Sequence, residues 1–337
     1  MKTILTFTFA FLLIVQLFGQ ETIKGLVSQG NKLHDLGKYD EAILKYKAAL
    51  KLDENSTLAN YELSYTYMTI RQYADAVKYS TKVIKQNTEN QHEAYIVLGS
   101  SLDLLGKPGK AIKAYEEGLN KYPNSNLLNF NLALTSFNSK DYNKAEDAVI
   151  KAIQARPTHA SSHMLLAVTM IAKGQRVKSV LALYYALMLE PNSKRSSANY
   201  ESLMLQLDQG VVKKDEKNIN VNVSFNENGD NEFQTAEVMI SLLAASKFTE
   251  DNEGKSKMES FIQTTKGLFG ILGEIKKENK GFFWDFYVTK FSDLVKSENN
   301  EAFCYYISQS TNSDEVKNWI NSNQEKIEKL KDWITKN

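Results

Sequence analysis

Residues 98–123 read LGSSLDLLGKPGKAIKAYEEGLNKYP. The apolar Leu98 and the small Gly99 end one helical pattern, and Gly106 makes a turn. Ala111, Tyr115 and Gly118 then return at helical spacing until Pro123 stops the run. Alanine and glycine at such places let two antiparallel helix axes approach, and a tyrosine fills the gap left between neighbouring pairs. The stretch is therefore one helix-turn-helix unit with a mechanical reason for its composition.

Moving outward by 34 residues, the pattern recurs. Downstream, Leu132, Ala133, Tyr142, Ala145, Ala152 and Pro157 repeat it, and then Leu166, Ala167, Gly174, Ala186 and Pro191. Upstream come Tyr73, Ala76 and Val83, and before them Gly37, Tyr39, Ala42, Tyr46 and Ala49, with one single-residue slip between the second and third units. Pro123, Pro157 and Pro191 keep the same interval. A fixed period of this length marks a stacked repeat array. In the last unit Arg176 and Ser179 replace the aromatic and the alanine that earlier units mostly carry, as terminal repeats tend to do.

These residues resemble the tetratricopeptide-repeat (TPR) family. The resemblance implies an all-α superhelix of five repeats over 23–193, closed by a capping helix around Tyr200, Leu203, Met204 and Leu207. With the cap, the array is expected to occupy 21–210. Residues 1–20 read as a signal peptide: Lys2 precedes an almost uninterrupted apolar run over 4–18, shorter than a membrane span needs. The chain is accordingly expected to be exported, periplasmic or envelope-associated in a bacterium, without stable membrane insertion after cleavage. The single cysteine, Cys304, cannot form an internal disulfide, so stability must come from packing.

Residues 211–232 change texture and read as a linker or extended segment. Ile219, Val221, Val223 and Phe225 alternate there as one short strand, and no second strand follows it. A small, mainly helical C-terminal domain is expected over 233–337. Met258, Phe261, Leu268, Phe269 and Leu272 recur at helical spacing, Ser313 starts a helix, and residues 282–287 (FFWDFY) supply an aromatic core.

Chemistry is thinly signalled. Lys+Arg 41 against Asp+Glu 40 gives a net charge of +1, which argues against a nucleic-acid binder. His159 and His163 have i, i+4 spacing but no acidic residue completes a metal motif. Cys304 has no histidine in its own domain, and Asp285, Asp293 and Glu301 read as solvated acids. Gly267, Gly270 and Gly273 lack the flanking pattern of a phosphate loop and read as helix-packing positions. No cofactor, metal or catalytic residue is expected, and the chain is not read as an enzyme.

The resemblance places the family's usual binding surface on the first helix of each repeat. The candidate groove residues are Asn31, His34, Tyr61, Tyr65, Met68, Ile96, Phe130, Leu134, Phe137 and Met164. Asp35, Glu93, Ser100 and Asp103 complete the polar part, Val168 and Ile171 the apolar floor. Family members that clamp a peptide carboxylate use lysine, arginine and asparagine at set places. Here only Asn31 remains, with Val27, Glu62 and Glu93 in the others' places. The expected function is a scaffold that binds a protein or peptide through this groove, the C-terminal domain, or both. The alternatives are an enzyme or small-ligand binder in the aromatic C-terminal domain, or a structural subunit of an envelope complex. The apolar floor is expected to need a cover, for which the C-terminal domain is the nearest candidate.

Overall fold

The computed structural model describes residues 22–87, 90–214, 219–222, 231–249, 252 and 254–336. The leader over 1–20 and the strand positions Val223 and Phe225 lie outside them. Paired helices dominate: α1 (Ile23–Asp35) and α2 (Tyr39–Leu52), α3 (Thr57–Thr69) and α4 (Tyr73–Gln86), α5 (Gln91–Leu104) and α6 (Pro108–Lys121), α7 (Asn126–Asn138) and α8 (Tyr142–Ala155), α9 (Ala160–Ala172) and α10 (Arg176–Leu189). The capping helix expected after the fifth pair is α11 (Ser196–Asp208). Packing divides the chain into two compact units between Thr135 and Ser136, inside α7.

In the first unit the small residues act as the repeat pattern requires. A Cβ on Gly30 would fall within the ring of Tyr46, and one on Gly99 within the ring of Tyr115. Glycine is thus dictated by close helix approach, and both tyrosines are buried. Side-chain caps start the helices: Thr22 Oγ1 accepts from Gly25 N at 3.0 Å, and Ser125 Oγ from Leu128 N at 3.2 Å. The one-residue slip is taken up in α5, which has 14 residues where α1, α3, α7 and α9 have 13; before it Asn87 and Asn90 both adopt left-handed backbone (φ 52° and 63°), a conformation asparagine tolerates.

The second unit brings the fifth repeat and the C-terminal residues around one helix. Helix α10 is buried on all sides from Arg176 to Met188. Its sequence is apolar all round, and such a helix needs a complete jacket. α9, its partner in the repeat, and α11 pack against it. The C-terminal elements supply the rest: α12 (Gln234–Ser246), α13 (Lys257–Ile275), a π-helical segment (Phe283–Val288), α14 (Thr289–Lys296) and α15 (Asn300–Ile307), with α16 (Asp314–Ser322) and α17 (Gln324–Lys336) outside them. Tyr184 of α10 sits at the centre. Its ring meets Phe261, Phe269, Phe291 and Phe303 at 4.8–6.1 Å, and its hydroxyl pairs with Thr265 Oγ1 at 2.7 Å.

Two sequence expectations are corrected here. The strand β2 (Ile219–Val221) does have a partner, but upstream: β1 (Val211–Lys213) pairs with it antiparallel, Val212 opposite Asn220. Three residues per strand are too few to leave a readable alternation. The expected cover for the groove floor also differs. Within the second unit the C-terminal helices enclose α10, the second helix of its repeat, while Val168 and Ile171 of the first helix stay 41% and 37% exposed. Both helices are rich in apolar residues, but the large rings that the C-terminal aromatics meet, Tyr184 and Tyr185, stand on α10, so the jacket closes there.

Candidate functional site

First helices of successive repeats lie side by side in the first unit, α1 against α3 and α3 against α5. Hydrogen bonds stitch them. His34 Nδ1 meets Thr66 Oγ1 at 2.8 Å, and Thr135 Oγ1 donates to Asp103 Oδ2 at 3.1 Å, the same kind of bond two repeats later. Tyr46 OH donates to Asn31 Oδ1 at 2.8 Å, and Asn31 Nδ2 reaches Glu62 Oε1 at 3.4 Å. In the third repeat Ser100 Oγ and Tyr115 OH repeat the tyrosine contact at 3.1 Å. Asn31, the one residue left from a carboxylate clamp, is therefore occupied by its own neighbours.

Along this face runs an aromatic row. His34 stacks on Tyr65 with centroids 5.3 Å apart, Tyr65 lies 6.4 Å from Tyr61 in near-parallel orientation, and Tyr39 meets His34 edge-on at 5.1 Å. Tyr65 is 40% exposed, whereas Asn31, His34, Tyr61, Met68 and Ile96 are half-buried. Burial pushes the Tyr61 phenol up to about 12, with the charges of Glu62 and Glu93 adding to the effect. Burial raises Glu62 too, the Asn31 hydrogen bond opposing this and Asp35 adding to it. His34 is lowered by burial. The remaining candidates fall on either side of the unit boundary. Phe130 is half-buried and Leu134 exposed in the first unit; Phe137 and Met164 are half-buried in the second, where Phe137 contacts Tyr142 at 5.6 Å.

The titratable residues noted elsewhere in the sequence have structural partners. Asn60 Nδ2 donates to Glu54 O, and Asn129 Nδ2 to Pro123 O, six residues back, holding the turn before each first helix. His163 takes that place in the fifth repeat, with Nε2 2.8 Å from Pro157 O. A carbonyl can only accept, so Nε2 carries the proton and Nδ1 accepts from Tyr287 OH at 2.7 Å. The ring stacks on Tyr185 at 4.3 Å, and burial lowers its pKa to about 4. His159 is engaged separately, with Nδ1 2.8 Å from Ser162 Oγ. The i, i+4 pair is a turn clamp beside a helix start. Cys304 is buried, and burial pushes its thiol up to about 12, far from a nucleophile's range.

Asp285, Asp293 and Glu301 pair with three different lysines, Lys276, Lys296 and Lys326. Gly267 and Gly273 do serve close packing, against Leu243 and Ser292, while Gly270 has nothing near it. Arg176, which reads as a decayed repeat position, is an anchor. Its guanidinium donates to Gln206 O at 2.5 Å and Leu207 O at 2.8 Å at the end of α11, and to Ser241 Oγ at 3.0 Å on α12. Cationic donors at a helix C-terminus satisfy its free carbonyls and oppose its dipole. Lys178 beside it lies 3.3 Å from Glu232 and 4.9 Å from the centroid of Phe283. Among the described residues no cluster of three metal-binding side chains is found, and no helix is long and apolar enough to cross a membrane.

This is a helical-repeat protein whose first and third repeats are closed by a glycine–tyrosine contact. Residues 30–70 match the TPR repeat model, and 61–126 and 96–160 match the tetratricopeptide repeat model. Residues 30–160 therefore carry tetratricopeptide repeats. Solved structures it resembles include MamA, at 28% identity over 48% of this chain and 94% of that one, with a TM-score of 0.45. YrrB, described as a TPR protein with an unusual peptide-binding site, matches at 21% identity over 56% and 94%, TM-score 0.45. A thermophilic TPR protein of Thermus thermophilus, TTC0263, matches at 19% over 55% and 100%, TM-score 0.45. Each likeness takes in about half of this chain and nearly all of the other.

Proposed function

We propose that the chain is an exported scaffold that holds a protein or peptide partner on the first helices of its N-terminal repeats. The observation that carries this reading is the row His34–Tyr65–Tyr61. Its rings are fixed by stacking and by the Thr66 hydrogen bond, yet Tyr65 keeps 40% of its surface open. Aromatic side chains held in place before binding lose little entropy on contact and are the usual anchors of an interface. Nothing in the packing of α1, α3 and α5 requires a tyrosine to stand half in water.

Export rests on the charged-then-apolar leader over 1–20. N-terminal sequencing of the native protein should begin near Gln20; an intact Met1 from a soluble cytoplasmic fraction would contradict it. The C-terminal helices, on this reading, complete the array by jacketing α10. The alternative of a small-ligand site there has one feature in its favour, Lys290. It is half-buried with Nζ 5.9 Å from the Tyr185 ring and 5.4 Å from Trp333, and burial lowers its pKa. Tyr65→Ala tests the main reading: it should abolish binding of a groove-dependent partner while leaving the melting temperature within a few degrees. Full binding by the variant would move the interface elsewhere.

A further inference from the structure

The charges of the first unit are sorted by helix. Helices α3 and α5 contain no lysine or arginine, and α1 carries only Lys24 and Lys32. The acids of these first helices are Asp35, Glu62, Glu93 and Asp103. The second helices are the reverse: α2, α4 and α6 each carry three lysines, which outnumber the acids of the same helix. Together α1, α3 and α5 carry four acids against two lysines, a net of −2 that falls on α3 and α5, whereas α2, α4 and α6 carry nine lysines against five acids, a net of +4.

The neighbours of the row register this field. Asp35 raises Glu62, Glu62 and Glu93 both raise Tyr61, and Glu62 and Asp35 both raise Tyr46, whose pKa reaches about 12 chiefly through burial. Among the described residues, Glu62 finds its hydrogen-bond partner in the neutral Asn31 amide, at 3.4 Å. Its charge is half-buried without a matching cation there, which leaves an attraction that an incoming positive group can satisfy. The faces of tyrosine rings attract the same groups through their quadrupoles.

We infer that this face takes a cationic segment of a partner polypeptide, seating a lysine or arginine side chain against the His34–Tyr65–Tyr61 rings beside Asp35, Glu62 and Glu93. The inference rests on the scaffold reading above and adds the partner's chemistry to it. It is opposite in sign to a carboxylate clamp: an acidic peptide would meet Glu62 and Glu93 where such clamps carry bases. The lysines of α2, α4 and α6 would in addition turn a cationic partner away from the second helices, so association is steered to one side. Arginine fits best, because its planar guanidinium can stack on a ring and donate to a carboxylate together.

The test is a selection of random heptapeptides displayed on phage, panned on the full mature chain at low salt. Recovered peptides are then measured against the wild type, Tyr65→Ala, Glu62→Gln and Glu93→Gln. Enrichment of lysine and arginine is expected, with affinity falling about tenfold in Tyr65→Ala and several-fold in each glutamine variant, and falling with added salt. Recovery of acidic or uncharged peptides that still lose binding in Tyr65→Ala would overturn the cationic inference and leave the scaffold reading standing. Peptides indifferent to Tyr65→Ala, or no peptides at all, would overturn both. Circular dichroism of each variant separates lost binding from lost fold.

Discussion

Acid should weaken the second unit through one buried ring. His163 is neutral in the fold, with its pKa lowered from 6.5 to about 4 by burial, and it is fully enclosed. Unfolding restores the higher value, so below pH 6.5 the unfolded chain takes up a proton that the folded chain refuses. The stabilisation is whole above pH 6.5 and is lost as pH falls towards 4. The full difference amounts to about 3 kcal/mol, of which about 2 kcal/mol is gone at about pH 5.

Urea unfolding followed by tryptophan fluorescence isolates the unit, since Trp284, Trp319 and Trp333 all lie in it. The control is His163→Asn, because Asn60 and Asn129 make the same turn bond without titrating near neutrality. The variant should start about 1–3 kcal/mol lower at about pH 7, having lost the Tyr287 bond and the stack on Tyr185. It should then close about 2 kcal/mol of that gap by about pH 5. If wild type and variant lose stability in parallel between about pH 7 and pH 5, the ring is not held neutral by burial.

Further outcomes follow from the packing. Gly30→Ala should destabilise the first unit by about 1–3 kcal/mol, since its methyl group would enter the Tyr46 ring, and a second change of Tyr46 to leucine should recover part of the loss in thermal melts. Arg176→Met should cost about 3–5 kcal/mol, because the end of α11 and the half-buried Glu237 lose their donor; urea midpoints unchanged from wild type would remove Arg176 as the anchor.

The repeat frame was legible in the sequence because each of its requirements is local. Gly30 with Tyr46, and Gly99 with Tyr115, are sixteen residues apart in one helical pair, and small residues (Ser64, Ala133, Ala167) hold the glycine's place in the other repeats. The same frame says which positions of α1, α3 and α5 share a side, and the candidate face was read from that alone. What stayed hidden is contact between residues far apart. Arg176 reads as a lapse from the pattern because its partners, at 206, 207 and 241, belong to elements with no period in common with it. His163 reads as half of a chance pair, although Asn60 and Asn129 stand at matching places in earlier repeats. The enclosure of α10 had a signal, its lack of any polar stripe, which a search for matches to the repeat passes over.

The central claim is that the first helices of the N-terminal repeats form the binding face, and amide chemical-shift mapping tests it most directly. The isotope-labelled chain would be titrated with the tightest heptapeptide from the selection described above. Shifts should concentrate at Asn31, His34, Tyr61, Tyr65 and Ile96, fade across α2, α4 and α6, and disappear in Tyr65→Ala. Shifts confined to the second helices or to residues beyond Thr135 would contradict the account.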